Sequence, residues 1–256
     1  MTFKPLLIFL LLLHSCNNAA TSSGKIAAVP LPGKNQYGNI NAIPIPDGYT
    51  RVAADSNSFA GWLRKIVLKE DRTVHLFNGT VKQNQLAQFA VMDISVGNKD
   101  LQQCADAVMR LRAEYLFSIK KYGDIIFYDN NHTAYAFAPP YTREHFMQYL
   151  QQVFGMCGSA SLSKQLKPVT DFTGIQPGDV IIRGGFPGHA VLVTDVAVNS
   201  GGEKIYMLSQ GYMPAQDIHV LVNPADEKLS PWYEVNNNAT IITPEYIFNR
   251  NELKKW

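Results

Sequence analysis

A cysteine and a histidine are the residues of this chain whose types and settings could together do chemistry. Cys104 lies in Asn98 to Leu116, NKDLQQCADAVMRLRAEYL, which reads as a helix. Asp100 is a good N-cap and Gln103, three residues on, completes a capping box, so the helix should begin near Leu101. Leu101, Cys104, Val108, Leu111 and Tyr115 recur on one helical face and should point inward. Asp106, Arg110 and Glu114, spaced by four, suit a solvated face. A cysteine in the first turn meets unpaired amides and the positive end of the helix dipole, both of which favour a thiolate.

A thiol nucleophile also needs a base. An imidazole can take the proton and later return it to the leaving group, and a third group must fix its tautomer. His189 supplies the imidazole: a Gln176-Pro177-Gly178 turn, a strand and a glycine-rich loop (Gly184, Gly185, Gly188) deliver the chain to it, and it opens an apolar strand. Asp195 shares its strand face but sits roughly 20 Å along an extended chain, too far to orient it. Asn199 to Gly202 is a turn signal, so the next strand should return antiparallel, placing His189 opposite about Tyr212 with Gln210 as diagonal neighbour. The Gln210 amide oxygen can accept from an imidazole N–H. Two other fates for Cys104 are open here: a small buried hydrophobe, or a disulfide with Cys157.

The stretch IQPGDVIIRGGFPGHAVLVTD, with a cysteine upstream at a helix start, resembles the NlpC-type branch of papain-like cysteine peptidases. The resemblance implies an α+β, papain-like/NlpC-like fold with helices packed on a mostly antiparallel sheet. It also implies hydrolysis or transfer at an amide bond, with Cys104 as nucleophile and His189 as base and acid, and cell-envelope peptide (peptidoglycan peptide among the candidates) as substrate class. Two departures stand out: Gln210 where that family more usually has histidine, and Gln103-Cys104-Ala105-Asp106 where it has an Asp-Cys-Ser-Gly-like start. Over most of its length the chain also resembles an uncharacterised family of bacterial lipoproteins, a domain of unknown function, through QCADAVMRLRAEYL and SQGYMPAQDIHVL.

The elements around these residues follow from local pattern. Leu13-His14-Ser15-Cys16, after a basic Lys4 and an apolar Leu6 to Leu13, resembles a bacterial lipobox. Residues 1–15 are therefore read as a lipoprotein signal peptide, 16–41 as a flexible spacer and 42–256 as a single α+β domain. Cys16 would be lipidated and the protein tethered in the cell envelope, outside the cytoplasm. Helices are expected over Ser56 to Leu68, Arg143 to Phe154 (capped by Thr142), Ser159 to Leu166 and from Thr243-Pro244 towards Trp256. Strands are expected at Thr73 to Phe77, Leu86 to Val96, Ile125 to Tyr128, Thr133 to Phe137, Val180 to Arg183, His189 to Val198, Lys204 to Ser209 and Ile218 to Val222.

A net charge of +2 without a Lys/Arg block gives no reason to expect nucleic acid as a partner. The remaining histidines show no metal spacing, and no cofactor is indicated. Tyr212 and Arg112 are candidates for substrate contact, Arg112 through a carboxylate. The competing expectation is a non-catalytic envelope lipoprotein whose aromatics Trp232, Tyr233 and Tyr212 line a cleft for glycan, peptide or a partner protein.

Overall fold

The computed structural model describes residues 33–256; the expected signal peptide, Cys16 and most of the expected spacer lie outside the described residues. The fold is α+β, built on one nine-stranded sheet. Its strands are β1 (Tyr49–Arg51), β2 (Gln88–Val91), β3 (Lys167–Pro168), β4 (Val180–Arg183), β5 (His189–Asn199), β6 (Lys204–Gln210), β7 (His219–Leu221), β8 (Trp232–Glu234) and β9 (Leu253–Lys255). The order is β2-β7-β6-β5-β4-β9-β3, with β1 also pairing β5 and β8 also pairing β6. Every pairing is antiparallel. Among the described residues four α-helices accompany it: α1 (Phe59–Arg64), α2 (Cys104–Ser118), α3 (Arg143–Met156) and α4 (Ser159–Gln165).

β5 is the spine because its sequence, HAVLVTDVAV, can be buried on both faces. Ala190 and Leu192 join the core shared with α2, while Val191 and Val193 join a second core on the other face. A bulge between Val193 and Asp195 then inverts the alternation, so that Val196 lies in the second core and Ala197 in the first. Asp195, fully buried, is held by Arg51 (2.5 Å) and Arg64 (2.8 Å) and serves that pair, not His189.

Helix α2 begins three residues later than its local pattern indicates. Cys104 is its first residue and Gln103 its N-cap; the Gln103 backbone N–H donates to the Asp106 carboxyl at 3.0 Å. Asp100 instead accepts from the Gln103 side chain (3.0 Å) and from the Ala215 backbone (2.7 Å), tying the loop before α2 to the chain beyond β6. The expected solvated face is buried too: Asp106 is 6% and Arg110 3% exposed. Arg110 donates to Gln102 (2.8 Å) and Glu114 (2.7 Å), and Glu114 also receives Arg143 of α3, so the Arg110–Glu114 part of the stripe survives burial by finding partners.

Two further segments depart from expectation. Ile40 is fully buried and Tyr37 stacks on Phe89 at 5.9 Å, so the packed fold starts within the expected spacer and not at residue 42. The last segment is not a helix: Thr240–Ile242 and Ile247–Asn249 form a hairpin and β9 closes the sheet. Around Ile247-Phe248-Asn249 burial alternates residue by residue, a period-two pattern that outweighs the Thr-Pro start signal. No helix among the described residues is long and apolar enough to cross a membrane.

Candidate functional site

Three elements converge where α2 starts. The backbone N–H groups of Ala105, of Cys104 itself and of Ala190 point at the Cys104 sulfur. Ala190 directly follows His189, so the start of β5 abuts the start of α2. The chain just past β6 completes the junction: a Cβ at Gly211 would come within 3.0 Å of the Gln103 carbonyl and the Ala107 side chain. Any side chain there would have to push these neighbours back by a few tenths of an ångström.

His189 is buried in an aromatic box, with ring centroids 4.9 Å from Tyr212, 5.1 Å from Tyr246 and 5.6 Å from Phe248. Its Nε2 lies 2.8 Å from Gln210 Oε1. The register of β5 on β6 ends at Leu192 opposite Ser209, and beyond it the Tyr212 ring lies against the His189 ring.

The orientation of the Gln210 amide is fixed from behind. Gln210 Nε2 donates to Glu245 at 2.8 Å. Its second hydrogen faces His219 Nε2 at 3.4 Å. That nitrogen must be an acceptor, because His219 Nδ1 spends its proton on the Asp217 carbonyl at 2.9 Å. Glu245 is itself held by Lys82 (2.7 Å) and Asn84 (3.1 Å). With both amide hydrogens committed, the Gln210 oxygen faces His189, so His189 Nε2 carries the proton and Nδ1 keeps a bare lone pair. The chain Lys82–Glu245–Gln210–His189 thus sets a tautomer.

Burial decides the charge states. It lowers His189 to about 4 and His219 to about 3, so both rings are neutral at pH 7. It raises the Cys104 thiol to about 11, with the Asp106 charge adding to the rise and the three amides only partly opposing it. The thiolate expected from the helix start is therefore corrected: the resting group is S–H. Asp106 is pushed up to about 8 by burial, so it too is protonated, and its Oδ1 is sealed without a partner. No hydrogen bond joins the Cys104 sulfur to the imidazole among the described residues.

Cys104, Asp106 and Cys157 line one cleft of about 300 Å³, together with Ser159, Phe186 and Met213. Cys104 and Cys157 are free thiols, so the disulfide does not form here. Arg112 lies away from this cleft, its guanidinium over the rings of Phe59 (5.1 Å), Trp256 (5.3 Å) and Tyr115 (5.5 Å). Trp232, Tyr233 and Tyr212 do not share a cleft: Trp232 is 1% exposed in the core, Tyr233 borders a cavity with Phe172 and Arg250, and Tyr212 borders one with Lys82. Glu245 and Lys82 were missed by sequence reasoning. Both lie far from Gln210 in the chain, and the helix expected after Thr243 hid the first.

Residues 40–139 and 128–255 match the family described as "Domain of unknown function (4846)". The chain belongs to that family. No curated protein and no solved structure matches it.

Proposed function

We propose that this chain is a thiol-dependent hydrolase or acyl transferase acting on amide bonds, of NlpC-like, papain-like type. The observation that carries this reading is the fixed tautomer of His189, which leaves Nδ1 unprotonated on the residue directly before Ala190, whose backbone N–H acts on the thiol at the first position of the helix. Because burial holds both groups neutral, the reaction starts from S–H and imidazole and needs no preformed ion pair. The sulfur attacks the carbonyl carbon as its proton passes to Nδ1, and the imidazolium then donates to the departing amine, leaving a thioester. Water, or an amine in the transfer reaction, attacks the thioester, giving its proton to Nδ1, and the thiol is restored. Gln210 holds the ring and Glu245 holds Gln210. The Cys104 backbone N–H at the helix start is the candidate donor to the developing oxyanion.

Cell-envelope peptide remains the proposed substrate class on the strength of the PGD-to-His189 segment. The lipid tether and envelope location are proposed from Leu13 to Cys16. The aromatic-cleft binding reading gains nothing from Trp232, Tyr233 and Tyr212, which face different surroundings.

The test is acyl-enzyme trapping. Cys157→Ser protein is mixed with peptide thioesters and p-nitroanilides, quenched in acid and weighed by mass spectrometry. An acyl adduct on Cys104, lost in Cys104→Ala and formed about 10²- to 10⁴-fold more slowly in His189→Ala, is expected. Turnover that persists in Cys104→Ala, or an adduct rate indifferent to His189, would sink the reading.

A further inference from the structure

Beside the Cys104 cleft lies a larger cavity of about 620 Å³, bordered by Val81, Lys82, Tyr212, Met213, Gln216 and Glu245 among others. It adjoins the candidate site on two sides. Met213 lines both spaces, and Tyr212 and Glu245 belong to the surroundings of His189. Most polar groups of its wall are spoken for: Lys82 and Asn84 donate to Glu245, and the Tyr212 hydroxyl donates to the Glu245 carbonyl at 3.3 Å. Gln216 is the exception. It is fully buried, its neighbours Ala215 and Asp217 are tied to Phe77 and His75 by backbone hydrogen bonds, and yet neither Oε1 nor Nε2 of its side chain has a partner.

A buried carboxamide with donor and acceptor both idle is costly, each unmet group losing its hydration for nothing. What would satisfy it is narrow. A carboxylate or phosphate offers only acceptors and would leave Oε1 unmet; an ammonium offers only donors and would leave Nε2 unmet. A secondary amide presents one C=O and one N–H in a single plane, which a carboxamide can meet in both directions. Open apolar surface in the wall comes from Val81 and Met213, each 47% exposed, with the exposed Gln83 at its edge.

We propose that this cavity holds a peptide unit of the substrate, its carbonyl accepting from Gln216 Nε2 and its N–H donating to Gln216 Oε1, with an apolar side chain resting on Val81 and Met213. The proposal rests on the amide-hydrolase reading of the adjoining Cys104 site and adds to it a neutral, apolar residue next to the bond attacked. Both Gln216 atoms are sealed in the resting state, so entry requires the cavity wall around Gln216 to open, and Met213, long and unbranched, is the adaptable side chain of that wall.

Binding is measured without catalysis, on full-chain Cys104→Ala protein, by NMR titration with N-acetyl-leucine N-methylamide; 4-methylpentanoate serves as the carboxylate control. Saturable binding of the amide and none of the control is expected. Gln216→Met, close in shape, should weaken the amide at least tenfold without lowering Tm, since it removes two unmet polar atoms; Gln216→Glu should lose it as well. An amide that does not bind, or binds equally to Gln216→Met, overturns the proposal. So does a fall in Tm for Gln216→Met, which would show the carboxamide already satisfied, for instance by a buried water. If the amide binds as expected while wild-type protein forms no adduct at Cys104, it is the catalytic reading that fails and the peptide site that stands.

Discussion

Cys104 and Cys157 are both free, both buried and both in the wall of one cleft, yet they sit at opposite ends of helices. Cys104 is the first residue of α2, where three backbone N–H groups point at its sulfur. Cys157 is the C-cap of α3, where orphan carbonyls gather, and its own N–H is committed to Val153 at 2.8 Å. Burial raises both thiols, to about 11 and about 12, and the nearby Asp106 charge pushes each further. What separates them is the company: the backbone of Ala190, next to His189 and its relay, reaches the first, and Asp129 is a further carboxyl beside the second. Burial and thiol chemistry are thus held nearly constant while base and dipole change, so the pair is its own control.

The sharpest break is expected on substitution. Cys104→Ala should abolish acyl transfer, whereas Cys157→Ala should leave it within about threefold and cost some stability through the cavity it opens. Comparable losses in the two variants would mean the cleft works through shape alone. Next in size is the relay. Gln210→Leu removes the acceptor that keeps the proton on His189 Nε2, so Nδ1 can be protonated instead and the base is lost in that fraction of molecules. A fall of about 10²-fold in kcat with little change in KM is expected; a loss confined to KM would place Gln210 in binding.

The pH profile follows from the same burial. His189, depressed to about 4, stays an unprotonated base down to that pH, and Cys104 stays S–H up to about 11. Acylation should therefore be level from about pH 5 to 10 and fall only as His189 protonates near 4. A preformed thiolate–imidazolium pair would instead show Cys104 alkylation already fast below pH 7 and separating widely from that of Cys157. The contrast between the thiols would then be one of ionisation and not of proton transfer in the reaction.

The readable parts of the molecule were those governed by neighbours in sequence. Thr142 caps α3 as its type indicates, and Val180–Arg183 and the register of β5 on β6 follow from short apolar runs and one turn. The geometry that places Gln210 against His189 comes from that register. Long-range satisfaction was not readable. Asp106 and Arg110 look like a wet helix face until Gln102 and Glu114 are seen to meet Arg110, with Arg143 of α3 holding Glu114 from the other side. Glu245, which holds the whole relay in place, comes from a segment whose Thr-Pro signal pointed to a helix. Dipole reasoning gave the position of Cys104 but the wrong sign for its ionisation, because the depth of burial is a property of the packed fold.

Asp106 offers the finest cut between the two thiols, since it lines the cleft with both and faces both electrostatically. Its carboxyl is raised from an ordinary value near 3.8 to about 8. The folded protein thus binds a proton that the unfolded chain has released, and stability from this group is full below about pH 4 and drains away as pH rises to 8. The slope approaches about 1.4 kcal/mol per pH unit while the two states differ by one proton. Asp106→Asn keeps an acceptor for the Gln103 N–H and removes the titration. The difference in unfolding free energy between wild type and Asp106→Asn, from denaturant curves at pH 4 to 9, should therefore move steadily in favour of the variant and level off above 8. With that charge gone, both thiols should alkylate somewhat more readily above pH 8, by a few-fold, and Cys104 should keep its dependence on His189. A flat stability difference would mean that Asp106 is ionised in the fold and that its idle oxygen is met by solvent in the cleft.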